Sequence, residues 1–170
     1  MIRPIVLWGS DVLEKPADLV ENITEDEVKL VQDMVETMYK APGVGLAANQ
    51  VGVSKRIMVT DPSAGEKKNQ LITIVNPEIV ATDGEQYEEE GCLSVPGFSA
   101  EVIRPKKVVI RGVDLDGKEV IVEGSDLLAR AFCHEMDHLN GQFFLDHLSF
   151  IKRDIIKRRI KKMIRQGKWE

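Results

Sequence analysis

SDLLARAFCHEMDHLNG, residues 125–141, reads as a single amphipathic helix bounded at both ends. Ser125-Asp126, following a glycine, offers the N-cap. Leu127, Leu128, Ala131 and Phe132 supply apolar positions, and Asn140-Gly141 supplies the stop. His134 and His138 fall in the last two turns, four residues apart, so both imidazoles leave one face and can reach one ion with Glu135 close beside them. Ala131, Arg130 and Leu127 lie three, four and seven residues back from His134 and should wall that site, with the polar Arg130 expected at the rim. Paired histidines flanking a glutamate are the outline of a metal hydrolase, and the same pattern also arises in helices that only pack or cap.

A working site needs a further protein ligand and a position open to water. Downstream, Gly141 keeps the glycine of the metzincin pattern, but Phe144 stands where a third histidine would be required. The only glutamate after Glu135 is Glu170, which removes the arrangement with a glutamate ligand on a following helix. Asp146 and His147 remain as downstream alternatives, His147 being more simply a surface or packing residue. Cys133 adjoins His134 but is turned by about 100° around the helix, so it reads as a small buried hydrophobe. The better donor is upstream, at Cys92 in Glu90-Gly91-Cys92-Leu93-Ser94. It ends the acidic run Glu88-Glu89-Glu90 and precedes Pro96-Gly97, which is expected to turn the chain where a strand gives way to a loop.

A third segment, Gly43-Val44-Gly45-Leu46-Ala47-Ala48-Asn49-Gln50, combines alternate glycines with small alanines, which lets a backbone approach a ligand closely. It lacks the lysine of a phosphate loop and the spacing of a dinucleotide fingerprint. Gln50 contributes an uncharged amide donor.

Together the three segments resemble the bacterial peptide deformylases, whose motifs are a glycine-rich stretch ending in glutamine, an EGCLS stretch and HExDH. Here they read Gly43 to Gln50, Glu90 to Ser94 and His134 to His138, in the same order and with similar separations. The resemblance implies that Cys92, His134 and His138 bind a divalent metal, with Glu135 as general base and later acid. It further implies that Gln50 and the backbone N–H of Leu93 hold the formyl oxygen. Val44, Gly45 and Gly91 would contact substrate, with Leu127, Arg130 and Ala131 near the methionine pocket. By ligand type two imidazoles and a thiolate suit zinc. The resemblance points instead to Fe2+, with Zn2+, Ni2+ or Co2+ as substitutes. The implied substrates are N-formyl-methionyl nascent peptides, cleaved to release formate during protein biosynthesis. Asp137 is read either as orienting a ligand or pairing with a base such as Arg104, or as a solvent-facing helical carboxylate.

The remaining chain fits one α+β domain spanning 1–170, with mostly antiparallel strands packed around the central HExxH helix. A length of 170 residues with 43% hydrophobic and 30% charged content is that of a globular protein, and two cysteines make no disulfide framework. No segment reads as a signal peptide or membrane span, so a cytoplasmic protein is expected, and a monomer is the expected state. Thr24 and Glu27 form a capping box for a first helix with Val28, Val31, Val35 and Met38 on its apolar face, ended by Pro42-Gly43. Strands are expected at 56–60, 71–75, 107–113 and 119–123, the last two joined across Asp116-Gly117. From Phe150 onward nine Lys or Arg stand against two acidic residues, a balance of +7 set against −12 in the rest of the chain. Ile151, Ile155, Ile156, Ile160, Met163 and Ile164 give an apolar side to a basic C-terminal helix at about 149–166, whose charged face could follow ribosomal RNA.

Overall fold

Eleven helices and strands and two short 3-10 turns are laid out in the computed structural model, which describes residues 1–170. In chain order they are α1 (Asp11–Glu14), α2 (Glu25–Lys40), β1 (Gly45–Ala47), a 3-10 turn (Ala48–Val51), β2 (Ile57–Thr60) and β3 (Ile72–Asp83). There follow β4 (Gln86–Cys92), β5 (Val95–Arg104), β6 (Lys107–Val113), β7 (Glu119–Ser125), α3 (Leu127–Leu139), a second 3-10 turn (Phe144–His147) and α4 (Phe150–Arg165). Five strands pair antiparallel in the order β1-β2-β3-β6-β7, and β4-β5 form a separate antiparallel ribbon. This is the α+β arrangement expected from the sequence.

The sheet is covered on both faces, and β2 shows why its four residues are all buried. Side chains alternate along a strand, so Ile57 and Val59 face Leu30, Val31, Met34 and Met38 of α2, while Met58 faces α3. Helix α3 turns Ala129, Phe132, Cys133, Met136 and Leu139 onto that second face, where Ile74, Val108 and Ile110 receive them. Phe132 is fully buried, and its truncation to alanine should cost about 3–5 kcal/mol. With that stripe committed to the sheet, Arg130 and His134 are left to face the β4-β5 ribbon. A third cluster, including Val95, Val102, Phe144, Leu145 and Ile160, ties the ribbon to α4.

The ends of α3 differ from each other. At the C-terminus Gly141 N–H donates to His138 O at 3.0 Å and Gln142 N–H to Asp137 O at 2.8 Å, the paired closure of a Schellman motif with Gly141 at φ +77°. Arg56 Nη1 adds a bond to Leu139 O at 2.8 Å, and Asn49 Nδ2 donates to His138 O. At the N-terminus Asp126 is the cap residue, but its side chain makes no capping bond. β7 runs directly into the helix, so the chain must reverse at Asp126 itself, with φ +55°. Its N–H donates to Lys106 O at 2.9 Å and its carbonyl accepts from Gln86 Nε2 at 2.8 Å, which hold this unfavourable backbone in place.

Several expectations shift. The capping box at Thr24 and Glu27 is formed, but the buried face of α2 centres on Leu30, Val31, Met34 and Met38, with Val28 and Val35 only half-buried. β3 continues to Asp83 through two register irregularities. Pro96-Gly97 does not turn the chain: the reversal is at Leu93-Ser94, and Pro96 and Gly97 lie inside β5. In α4 only Ile160 is fully buried, with Ile156 and Met163 half-buried, while Ile151, Ile155 and Ile164 stay exposed beside the basic side chains. No helix is long and apolar enough to cross a membrane.

Candidate metal centre and catalytic cleft

Helix α3 and the end of β4 bring three donor atoms together. Cys92 Sγ lies 3.2 Å from His138 Nε2, which lies 3.2 Å from His134 Nε2, and all three donors are within 4.8 Å of one another. Bonds of about 2.0 Å at a tetrahedral angle set two nitrogen donors roughly 3.3 Å apart, so the observed spacing fits one shared ion. The two imidazoles are shifted in opposite directions. Burial opposes protonation of His134, but the Cys92 sulfur, Glu135 and Glu90 outweigh it and hold that imidazole well above its usual range. Burial and the neighbouring His134 push His138 well below it. Cys133 packs into the sheet-facing core, and burial pushes its thiol up to about 11, in keeping with a small buried hydrophobe. Phe144 is fully buried and stacks on His134 at 6.4 Å, with the rings inclined by 22°, so this residue closes the site by packing.

Behind the donors stands a charged network centred on Glu90. His134 Nδ1 is 2.7 Å from Glu90 Oε2, which assigns the proton to Nδ1 and leaves Nε2 free for a metal. Arg104 grips the same carboxylate through Nε at 3.0 Å and Nη2 at 2.6 Å, and Arg130 adds Nη1 at 2.8 Å. Burial works against the Glu90 anion, but His134 and Arg104 prevail and hold its carboxyl far below the usual range. Arg104 Nη1 continues to Asp137 Oδ2 at 2.9 Å, and His147 Nε2 meets that oxygen at 2.8 Å. Asp137 thus pairs with Arg104 and does not face solvent, and exposed His147 stands in the outer network, away from the donor set. Arg130 is corrected: it is 5% exposed and paired with Glu90, because a cation on this face finds a buried carboxylate instead of the rim. In the sequence Glu90 reads only as the end of an acidic run. Its one local signal is position, two residues before Cys92, where strand side chains share a face; alternation alone would put Glu88 on that face too, and only the closure of α3 over the ribbon buries Glu90 while Glu88 and Glu89 stay exposed.

Glu135 is 2% exposed, with Oε1 3.9 Å from His134 Nε2. Burial pushes its carboxyl up to about 7, and Oε2 has no hydrogen-bond partner. Gly45 explains how it fits: a Cβ there would sit 3.0 Å from both Cγ and Oε1 of Glu135. From the short turn after β1, Gln50 accepts from Ala47 N–H at 2.9 Å through Oε1 and directs Nε2 to Ser94 Oγ at 3.1 Å, with Cys92 Sγ 3.9 Å away. The amide is therefore locked with its donor end toward the metal donors.

These groups line one cleft of about 670 Å3. Val44, Gly45, Gln50, Gly91, Cys92, Leu93, Leu127, Arg130, Ala131, His134 and Glu135 all contribute to its wall. His138 does not, being fully buried behind them. Ile5 and Phe98 also line it, Phe98 lying in the Gly97-Phe98-Ser99 stretch beside the cysteine.

The model of the family described as polypeptide deformylase matches residues 2–154. A peptide deformylase of Acidobacterium capsulatum is 49% identical over 169 residues, which cover 99% of each chain. The crystal structure of a peptide deformylase from Legionella pneumophila superposes with a TM-score of 0.91 at 44% identity, covering 100% of this chain and 99% of that one. A peptide deformylase from Ehrlichia chaffeensis, crystallised with actinonin, gives a TM-score of 0.86 at 38% identity over 95% of this chain and 96% of its own.

Proposed function

The chain belongs to the polypeptide deformylase family, and from that premise we propose that it hydrolyses the N-formyl group of formyl-methionyl nascent peptides, releasing formate and a free amino terminus. The observation that supports this most directly is the meeting of Cys92, His134 and His138 around one point, with Glu135 and Gln50 on the cleft side of it. Cys92 Sγ and the two Nε2 atoms would hold one divalent ion, Fe2+ in the native enzyme and Zn2+, Ni2+ or Co2+ as substitutes. Bound there, such an ion supplies Lewis acidity that lowers the pKa of water toward about 7.

The side chains divide the remaining work. Glu135, poised near neutrality by burial, takes the proton of the attacking water on its carboxylate and returns it to the departing amine nitrogen. Gln50 Nε2 and the Leu93 N–H donate to the formyl oxygen as it gains negative charge, each worth roughly 3 kcal/mol. Val44, Gly45 and Gly91 bring backbone to the peptide, and Leu127, Ala131 and the aliphatic stem of Arg130 flank the methionine side chain. Glu90 fixes the His134 ring so that its Nε2 keeps its aim.

The same reading puts the protein in the cytoplasm as a monomer meeting chains at the ribosome, with the exposed Lys152, Arg158, Arg159, Lys161 and Lys162 of α4 available to RNA phosphates. Salt-sensitive cosedimentation with ribosomes, reduced by charge reversal on α4, is the expected result for that contact. The central test is anaerobic formate release from a formyl-Met peptide, since a ferrous thiolate site oxidises readily. Glu135→Ala should abolish release while retaining metal, and wild-type turnover in that variant would refute the mechanism.

A further inference from the structure

The β4-β5 ribbon is interrupted beside the cleft. Gly91 pairs with Ser99 and Cys92 with Val95, so Pro96, Gly97 and Phe98 bulge out of the ladder. Gly97 makes the bulge with φ +85° and open space around it, a conformation other residues adopt poorly. The bulge sets Phe98 in the cleft wall with its carbonyl oxygen 3.5 Å from the Cβ position of Gly91, next to a metal donor.

Such a bulge needs backing, and it comes from the far end of the chain. The Trp169 ring stands 6.3 Å from Phe98 at an interplanar angle of 55°, within the range of favourable tilted aromatic contacts. Trp169 Nε1–H donates to Trp8 O at 3.0 Å, and Trp8 N–H donates to Ser94 O at 2.9 Å. Val6 N–H donates to Gln50 O at 2.7 Å, so the same segment is pinned to both motifs of the cleft. Phe98 is thereby held half-buried, with one side packed on Trp169 and the cleft beside it.

On the deformylase reading, a peptide leaving the formyl site along Gly91 would advance about 3.3 Å per residue, which would bring the residue after methionine to the side of the cleft that Phe98 walls. We propose, resting on the deformylase reading, that Phe98 is an apolar wall selecting the side chain that follows methionine, and that Trp169 is the positioning residue that fixes this wall. The ligand chemistry is a peptide with a branched or aromatic second residue.

The test compares kcat/KM of the metal-loaded enzyme on formyl-Met-Ala-Ser, formyl-Met-Leu-Ser and formyl-Met-Phe-Ser. Wild type should favour leucine and phenylalanine over alanine by about fivefold or more, the discrimination a partial apolar wall can give, with the difference in KM. Phe98→Ala and Trp169→Ala should reduce the ratio to within twofold of unity, and Trp169→Phe, which keeps a ring behind Phe98, should retain most of it. A purely structural role for Trp169 would lower the melting temperature and leave the ratio unchanged. An unchanged ratio in Phe98→Ala, or in a folded Trp169→Ala, overturns the inference while deformylation stands. If Trp169→Ala does not fold, Phe98→Ala against Phe98→Leu decides. No turnover of any of the three peptides by wild type would instead refute the deformylase reading.

Discussion

Gly45→Ala tests whether the catalytic carboxylate is placed by the backbone beneath it. The added Cβ would lie 3.0 Å from Glu135 Cγ and Oε1 and 3.1 Å from Cδ. Ordinary contact begins near 3.4 Å, so the carboxyl must retreat by at least 0.4 Å. Glu135 is 2% exposed and has His134 Nε2 3.9 Å from its Oε1, which leaves little room for that movement except along the cleft. Gly45 is not in the left-handed region, so alanine carries no backbone penalty and the perturbation is purely steric. Overpacking of this size costs about 1–3 kcal/mol, a melting temperature roughly 3–10 °C lower. A misplacement of ~1 Å can cost about a hundredfold, so displacing this proton-transfer group by 0.4 Å or more should lower kcat roughly tenfold to a hundredfold. The assay is kcat and KM on a formyl-Met peptide with metal content measured on the same sample. Metal stoichiometry should match wild type, because Cys92, His134 and His138 are not touched. A kcat within threefold of wild type in the folded, metal-loaded variant would show that Glu135 is not held by this contact.

Glu90→Gln keeps the shape but leaves the buried Arg104 and Arg130 without their shared anion, and should destabilise by about 3–5 kcal/mol in urea melts. Its weakened hold on His134 should also loosen metal about 10–100-fold in chelator competition, and unchanged affinity would remove Glu90 from that role. Chelation, or Cys92→Ala, should abolish turnover and lower the melting temperature, with readdition of metal restoring only the wild type; a chelated enzyme of full activity would exclude metal dependence. Glu27, bonded to Lys55 Nζ at 2.7 Å and to Thr24, has its carboxyl lowered to about 2. Its contribution to stability is therefore complete above pH 4.5 and lost as pH falls toward 2. Glu27→Gln should flatten the stability profile in that window, and identical acid profiles for variant and wild type would refute the assignment.

Where local chemistry decides, the structure follows the sequence closely. Thr24 and Glu27 are three residues apart, and their reciprocal cap forms as a property of that spacing alone. Asn140-Gly141 stops α3 because glycine accepts the left-handed backbone that the Schellman closure needs. The Asp116-Gly117 hairpin joins β6 and β7 within its own few residues. Failures occur where two elements must meet. Pro96-Gly97 has the chemistry of a turn, yet it becomes a bulge because β5 is long enough to pair with β4 on both sides of it. Val28 and Val35 satisfy helical spacing, but the sheet received by α2 selects the neighbouring face through Leu30 and Met34.

The site divides in the same way. The sequence by itself determined which side chains could do the chemistry, because ligand type, the four-residue spacing of His134 and His138, and the small residues from Gly43 to Ala48 are properties of the chain. Only the tertiary structure decided that Cys92 Sγ meets His138 Nε2 at 3.2 Å, that Arg130 turns inward to Glu90, and that Trp169 backs Phe98. Those pairs are separated by 46, 40 and 71 residues, and burial decides between their alternatives. A cation or a thiol that would be indifferent to its surroundings in water must find a partner once the sheet and the ribbon close over α3.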